Sequence, residues 1–190
     1  MPSTEIEDRE LLEAASSGDR AALDTLAKRI APRVKRLARA LAAGRPAWED
    51  AAQQSLLEIL GSTHTFDGRS SFERWADRIT ARTTLRLLSR ERSVSLTRDP
   101  EREVDDLAVD PPGSHDVASD VQRFLARLSL ERRVAIVLHH VAGYSVEEVA
   151  AISGVPTDTA KSRLLTARRE LRAMIRRDSR PALTLVKGGT

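Results

Sequence analysis

Residues 145–172 read SVEEVAAISGVPTDTAKSRLLTARRELR, and this stretch carries the local signals of two helices joined by a tight turn. Ser145 and Glu148 have the spacing of a capping box, which starts a helix. The predicted inward face of that helix is Val146, Val149, Ala150 and Ile152. Gly154 can take the left-handed conformation that ends a helix, and Pro156 prevents its continuation through the turn. The pattern predicts a helix-turn-helix, a common layout of DNA-binding motifs.

The second helix of the motif is predicted to begin at Thr157 or Asp158 and to be strongly basic. From Lys161 to Arg177 there are seven basic residues and one acidic residue, a net charge of +6 (7 − 1). Ala160 is small enough to let the two helices cross closely, and the predicted core residues are Leu164, Leu165 and Leu171. So basic a helix favours a polyanionic partner. The alternative is a purely structural helical hairpin whose arginines complement the helix dipole.

Composition bounds the class of protein. The 190 residues allow one domain or two small ones, and net charge is +3. Alanine and leucine dominate and no alternating strand pattern persists, so an all-α fold is expected. The absence of cysteine excludes disulfides and thiolate metal sites. No apolar run approaches the roughly 20 residues that a bilayer crossing needs. The acidic N-terminus has no signal-peptide core, so a cytoplasmic protein is expected.

Ahead of the helix-turn-helix, the apolar periodicity predicts a bundle of helices. A stripe at spacings of three and four indicates a long amphipathic helix that ends before Gly44: Leu23, Leu26, Ile30, Val34, Leu37 and Leu41. Pro32 predicts a kink or a restart within it. Further helices are predicted from about Trp48 to Leu60 and from about Ser71 to Arg90. The loop between them is GSTHTFDGRSS.

The last of these helices has an arginine at every fourth position: Arg74, Arg78, Arg82, Arg86 and Arg90. Residues four apart are neighbours on a helix, so these five form one basic stripe. Like charges at this spacing repel by roughly 0.2–0.5 kcal/mol per pair. A stripe kept despite that repulsion indicates an anionic partner. The alternative is that Glu73 and Asp77 neutralise it.

Residues 93–120 differ sharply from their flanks. They contain eight acidic residues and two arginines, a net charge of −6 (2 − 8), with three prolines. Such a segment cannot bury enough apolar surface to fold alone and is predicted to be a flexible linker. The chain is therefore expected to be all-α, with two small helical domains at 8–92 and 121–178, the acidic linker 93–120 between them, and a C-terminal tail at 179–190.

The order of these parts resembles a known family. The chain is similar to bacterial RNA polymerase sigma factors of the sigma-70 family, of the extracytoplasmic-function (ECF) type, which hold only regions 2 and 4. The resemblance covers about residues 9–92 and 121–177. Region 2 is carried by GDRAALDTLAKRIAPRVKRLARAL, by EDAAQQSLLEIL and by FDGRSSFERWADRI. Region 4 is carried by LARLSLERRVAIVLHHVAGYSVEEVAAISGVPTDTAKSRLLTARRELR.

The resemblance implies a sigma factor that binds core RNA polymerase and directs initiation at promoters. The clamp helices of the largest polymerase subunit would dock on the predicted helix from about Trp48 to Leu60, at Glu49, Asp50, Gln53, Gln54, Leu56 and Leu57. The −10 promoter element would be recognised and opened by Phe66, Asp67, Arg69, Ser70, Phe72, Trp75 and Arg78. Melted bases can stack on aromatic rings while arginines hold phosphates. Phe72 and Trp75, three residues apart, also fit the role of core anchors.

Region 4 would place the second helix of the motif in the major groove of the −35 element. Its N-terminal residues would face base edges: Thr157, Asp158, Thr159, Lys161, Ser162 and Arg163. Arg168 lies further along and is better placed for phosphates. The resemblance also implies the flap of the second-largest polymerase subunit and an anti-sigma factor as partners. It implies no cofactor, metal or membrane partner.

Three other readings compete. An enzyme is disfavoured because the sequence has no nucleophile–base constellation, and the adjacent His139 and His140 point about 100° apart on a helix and cannot share a metal as an i, i+4 pair would. A helix-turn-helix regulator that is not a polymerase subunit shares the SVEEVAAISGV pattern but leaves Asp50 and Gln53 unexplained. A sigma-like decoy for an anti-sigma factor is disfavoured by the intact basic helix.

Overall fold

The structure is a computed structural model that describes residues 3–98 and 117–178, and in these residues it is all-α, with no strand, as predicted. The first four helices are α1 (Ser3–Ser16), α2 (Arg20–Ala42), α3 (Ala47–Gly61) and α4 (Phe72–Arg98), with a 3₁₀ turn at Thr63–Thr65. The others are α5 (Val117–Ala126), α6 (Leu130–Ile136), α7 (Val146–Ser153) and α8 (Thr157–Asp178), with a π-helical segment at Val137–Val141.

Helices α1 to α4 pack around one apolar cluster. Asp19 starts α2 by accepting hydrogen bonds from the main-chain N–H groups of Ala21 and Ala22. The helix runs through Pro32, which is exposed, so the predicted restart there does not occur. The predicted stripe of α2 is buried at Leu26, Ile30, Val34, Leu37 and Leu41. It faces α3 and α4, which places α3's polar surface on the outside.

The ends of the predicted linker are helical. Helix α4 continues to Arg98 and α5 begins at Val117. Residues 93–98 and 117–120, which were predicted to belong to the linker, are therefore helical. No glycine or proline interrupts α4 before Pro100, and the residue preceding a proline disfavours the helical conformation. Pro111, Pro112 and Gly113 are the last breakers ahead of α5. Residues 99–116 and the predicted tail 179–190 lie outside the described residues.

The apolar spacing of residues 129–142 predicts one helix from Ser129 to about Ala142, with a core face of Val134, Val137, Leu138 and Val141. This helix changes its winding halfway. Between Val137 and Val141 it is π-helical, and the main-chain N–H of Ala142 donates to the carbonyl of Val137, five residues back (3.0 Å). Val134, Val137 and Leu138 are buried as predicted. Val141 was expected to face the core but is exposed, because the wider turn shifts the phase of every residue after it.

The helix-turn-helix forms as its local signals predict. Ser145 and Glu148 make both hydrogen bonds of the capping box, and Gly154 ends α7 in the left-handed conformation at φ 66°. Ala160 is fully buried where α7 and α8 cross. Leu164 is buried and Leu171 partly so, but Leu165 is 61 % exposed, so its predicted core position is wrong. Adjacent residues on a helix lie about 100° apart, and the narrow buried stripe of α8, set by Ala160, Leu164 and Ala167, leaves Leu165 outside it.

The two halves of the chain share buried surface. Leu37, Leu41 and Ala43 near the end of α2, with Ala81 of α4, belong to the same apolar cluster as the core of α5 to α8. On the turn after α2, Gly44 has a φ of 74°, and a Cβ there would lie 2.7 Å from the side-chain oxygen of Gln122 on α5. The described helices therefore form a docked arrangement rather than two separated units.

The close crossing at Ala160 gives a test of the helix-turn-helix packing. Ala160→Leu should lower the free energy of unfolding by about 1–3 kcal/mol, because the added carbons have no space between α7 and α8. Ala173→Leu adds the same atoms at an exposed position of α8 and should change it by less than about 0.5 kcal/mol. Urea unfolding followed by circular dichroism measures both. Equal losses would contradict the crossing.

Candidate nucleic-acid and protein-binding surfaces

The outer face of α3 is a continuous polar surface with one apolar residue at its edge. Glu49, Asp50, Gln53 and Gln54 are exposed, and Leu57 beside them is 60 % exposed. Leu56 differs from the other predicted residues because it packs against the core of α1 to α4. A surface of carboxylates and amides carries no cations to neutralise phosphates, so this face is unsuited to bind DNA.

The predicted −10 region is built around a cluster of three aromatic rings, two pairs of which meet edge to face. The ring centroids of Phe66, Phe72 and Trp75 lie 5.4–5.7 Å apart. Phe72 is buried, and Phe66 and Trp75 are half-buried against the same core. Phe72 is thus a core anchor. Phe66 and Trp75 are only half-buried, so part of each side chain is accessible to solvent.

Polar residues of the loop before α4 are organised by local hydrogen bonds. Asp67 accepts from the main-chain N–H of Arg69 (3.1 Å) and pairs with its guanidinium (3.2 Å), and both side chains are exposed. Arg78 donates to the hydroxyl of Ser70 (2.7 Å), which ties the loop to α4. Asp67, Arg69, Ser70 and Arg78 therefore lie in one neighbourhood beside the aromatic cluster.

The arginine stripe is partly paired, although not by the residues considered from the sequence. Asp77 and Glu73 face α2, where they pair with Arg33 (2.7 Å) and Arg29 (3.4 Å). Arg86 pairs instead with Glu58 of α3. Burial raises the pKa of Glu58, but hydrogen bonds from Thr83 and Arg86 lower that pKa by more, so the net change is a decrease. Arg82 and Arg90 are exposed. Arg74 is bound by a residue of the other half of the chain, Glu148.

The N-terminal end of α8 is open to solvent. Asp158, Lys161, Ser162 and Leu165 are exposed on one side, while Ala160, Leu164 and Ala167 on the other side hold the helix against α6 and α7. Lys161 lies 3.6 Å from Asp158, one turn earlier, and both are well exposed. Thr157, Thr159 and Arg163 are half-buried beside them. Of the predicted reading residues, Asp158, Lys161 and Ser162 thus lie on the accessible face, and Thr157, Thr159 and Arg163 lie at its borders.

Further along α8, Arg168 is held by a histidine. Its Nε donates to Nε2 of His140 (3.0 Å). Burial, Arg168 and His139 all lower the pKa of His140, so the ring is neutral near pH 7 and can accept this bond. His139 bonds instead to the main-chain oxygen of Tyr144 (2.7 Å). Both histidines therefore have structural roles, and the described residues contain no group of three or more potential metal ligands.

Leu165 is the site residue that sequence reasoning missed. Its exposure places an apolar surface one turn after Lys161, on the face that carries Ser162. The signal was present in the sequence, because Leu164 and Leu165 are adjacent and a helix can bury only one of them fully on the stripe set by Ala160 and Ala167.

Among the described helices, none is long and apolar enough to cross a membrane.

Comparisons with known proteins agree with this architecture. The chain matches the family sigma-70 region 2 over residues 26–94 and the family sigma-70, region 4 over residues 118–171. It is 32 % identical over 170 residues to the ECF RNA polymerase sigma factor SigM of Mycobacterium tuberculosis, covering 88 % of this chain and 84 % of that protein.

Two solved structures are similar to it. One is the sigma factor RpoE from Bartonella quintana in complex with the anti-sigma factor NepR, with a TM-score of 0.64, 27 % identity, and coverage of 82 % of this chain and 97 % of that one. The other is CnrH in complex with the cytosolic domain of CnrY, with a TM-score of 0.61, 24 % identity and coverage of 90 % and 99 %, a likeness of fold.

The structure combines a helical bundle that has a polar outer face with a helix-turn-helix whose basic helix is open to solvent. These two parts define a class of proteins that bind both protein and DNA. The matches to both sigma-70 regions and to SigM specify that class further. The chain belongs to the ECF RNA polymerase sigma factors of the sigma-70 family.

The opposite environments of two adjacent leucines test the orientation of α8. Leu164→Ala should lower the free energy of unfolding by about 2–5 kcal/mol, since it leaves a cavity in the core. Leu165→Ala, its matched control, removes the same atoms from an exposed position and should cost less than about 0.5 kcal/mol. Thermal and urea unfolding measure both. A reversed order would mean that α8 presents its other face.

Proposed function

We propose that this chain binds core RNA polymerase through the outer face of α3 and directs it to promoters, with α8 reading the −35 element and the aromatic region of α4 opening the −10 element. The open N-terminal end of α8 is the observation that carries the proposal. Family membership supports the polymerase and promoter as partners. The N-terminal and C-terminal halves would act as separate domains on the promoter, at about residues 8–92 and 121–178.

In the −35 element, Lys161 would bind guanine edges or phosphates and Arg163 would support it from its half-buried position. Asp158 would accept from a cytosine amino group or favour the helix N-terminus. The exposed Leu165 offers an apolar surface of the kind that contacts thymine methyl groups. Arg168, held by His140, is oriented for a backbone phosphate.

In the −10 element, Phe66 and Trp75 would receive unstacked bases, and the arginines of α4 would hold the phosphates. Arg69 and Arg78 flank the aromatic cluster, and Arg82 and Arg90 extend the basic surface along the helix. Phe72 contributes by holding the other two rings in place. These roles need no catalytic group, and we assign the protein none.

We propose that the protein acts in the cytoplasm together with the polymerase. The polymerase clamp helices and flap are its expected contacts. An anti-sigma factor is a further expected partner, because the similar RpoE structure contains one. A regulator that is not a polymerase subunit and a decoy for an anti-sigma factor are the competing functions. Run-off transcription with sigma-free core polymerase separates them, because neither competitor yields a promoter-specific transcript.

Loss of the reading residues should abolish promoter selection. Lys161→Ala with Arg163→Ala should lower run-off transcription at least tenfold, since each such contact is worth about 1–3 kcal/mol, and should leave polymerase binding intact. Arg176→Ala with Arg177→Ala is the matched control: it removes the same charge at the far end of α8 and should cost much less. Equal losses would show that net charge, rather than position, governs binding.

Loss of the docking residues should give the opposite result. Asp50→Ala with Gln53→Ala should weaken binding to core polymerase, measured by fluorescence anisotropy, by roughly tenfold or more if these residues lie at the centre of the interface. The fold should be unchanged because both side chains are exposed. Asp24→Ala with Thr25→Ala, exposed on α2, serves as the control. Unchanged polymerase binding in the first variant would remove α3 from the interface.

A further inference from the structure

Glu58 of α3 binds three other side chains with one carboxylate. Its Oε2 accepts a hydrogen bond from the hydroxyl of Thr83 on α4 (2.6 Å). Its Oε1 accepts from Nη2 of Arg86, also on α4, and from Nε2 of Gln54, one turn earlier on α3 (3.3 Å). Glu58 therefore connects the outer face of α3, where Gln54 lies, with the arginine stripe of α4.

The carboxylate of Glu58 is both charged and anchored. Burial raises its pKa, but the hydrogen bonds from Thr83, Arg86 and Gln54 lower that pKa by more, so the group is ionised at neutral pH. Hydrogen bonds to an ionised acceptor are stronger than bonds between neutral groups. Thr83 is 1 % exposed, so the oxygen that it binds is fixed to a buried part of α4. The other oxygen is thereby held in place for Arg86.

Arg86 is held in place and is still accessible. Glu58 binds its guanidinium, yet the side chain of Arg86 is 61 % exposed. A guanidinium has five N–H donors in a rigid fork, and Glu58 accepts from one of its nitrogens, so the remaining donors can bind a phosphate. Immobilising a flexible side chain only when it binds costs roughly two- to tenfold in affinity. An arginine that is already fixed avoids that loss.

We propose that Glu58 is a positioning residue for promoter opening, which holds Arg86 where this arginine binds a backbone phosphate of the melted −10 strand. Glu58 itself does not touch the DNA and acts through Arg86. The inference rests on the proposed function, in which the arginines of α4 hold that strand. Gln54 is a proposed polymerase contact, so polymerase bound there would exclude water from the ion pair and strengthen it.

The ion pair is not needed to hold α3 against α4. Ala52 and Ile59 of α3 belong to the same apolar cluster as Phe72 and Ala76 of α4, and all four are buried. An ion pair whose arginine is largely exposed adds little to stability. What the pair determines is the direction of the Arg86 guanidinium, which the packing of the two helices does not require.

The sign of the expected effect distinguishes positioning from net charge. Removing a carboxylate near a DNA strand makes the local potential more positive and by itself strengthens phosphate binding. Loss of the positioning contact releases Arg86 and weakens phosphate binding. Glu58→Gln separates the two effects, because it removes the charge and keeps the size of the side chain.

Binding of a single strand by the holoenzyme tests the proposal. Core polymerase with each variant is titrated with a fluorescent −10 strand that the wild-type holoenzyme binds, and anisotropy gives Kd. Glu58→Gln should raise Kd roughly two- to tenfold, Arg86→Gln at least as much, and the double variant no more than Arg86→Gln alone.

Glu73→Gln is the matched control for Glu58→Gln. It removes the same charge from a side chain of similar exposure, 34 % against 31 % for Glu58. Glu73 lies on α4 but pairs with Arg29 of α2 instead of an arginine of the stripe. Its Kd for the strand should stay unchanged or fall slightly.

A second pair of variants tests the anchor without changing any charge. Thr83→Val keeps the shape of the side chain and removes the hydroxyl that fixes Glu58, so it should raise Kd in the same direction as Glu58→Gln. Thr84→Val is its matched control. Thr84 is fully buried too, but its hydroxyl has no hydrogen-bond partner among the described residues, so this variant should leave Kd unchanged.

Salt dependence gives a readout that a purely structural ion pair would not move. Arg86→Gln should lower the slope of log Kd against log salt concentration by about 0.7, the value for one phosphate contact of a single strand. Glu73→Gln should leave that slope unchanged. A slope that is the same in Arg86→Gln and in the wild type would overturn the inference, because Arg86 would then bind no phosphate.

The other outcomes separate this inference from the proposed function. An unchanged or lower Kd for Glu58→Gln, an equal effect of Glu58→Gln with and without Arg86, or equal Kd values for the two threonine variants would overturn the inference while the wild-type holoenzyme still transcribes. If the wild-type chain gives no promoter-specific transcript with core polymerase, the proposed function fails and this inference fails with it.

Discussion

Where the two halves meet, the surface of α4 is organised by one buried carboxylate, that of Asp77. It is 1 % exposed, and Arg33 of α2 neutralises it with two hydrogen bonds of 2.8 and 2.7 Å. A charge buried this deeply is tolerated only with its partner in place, so the pair fixes how α4 lies against α2. Tyr144 packs onto that surface. Burial, and then the negative charge of Asp77, raise the pKa of Tyr144, so its hydroxyl stays protonated and remains a donor to α4.

Sequence reasoning succeeded where the signals are local. Ser145, Glu148 and Gly154 act within a few residues of one another, and the helix-turn-helix that they predict is present. It failed at Val141 because the π-helical turn departs from a period of 3.6 residues. The exposure of Leu165, by contrast, follows from that period once Ala160 and Ala167 define the buried stripe. The pairing of Arg74 with Glu148 could not be predicted either, since it joins residues far apart in the chain and needs the packing of both halves.

Helix α4 therefore combines two demands that compete for the same atoms. Under the proposed function one face must be basic and open enough for a DNA strand, and the arginine at the start of that face is also the residue that the C-terminal half binds. Glu148 is itself bound twice: the main-chain N–H of Ser145 and then Arg74 lower its pKa, so it remains charged at neutral pH. Capping of α7 and docking of the halves thus depend on one carboxylate.

The π-helical segment at Val137–Val141 has a consequence for how relatives of this chain can vary in length. A π-turn contains one more residue than an α-turn, so the segment accommodates one additional residue within an otherwise regular helix. Deleting one residue there would restore α-helical winding and turn α7 and α8 by about 100° relative to Leu130–Ile136, the segment against which α8 packs. The extra residue is therefore built into the core of the C-terminal half, and a change of length at this point would disrupt the packing of α6 against α8.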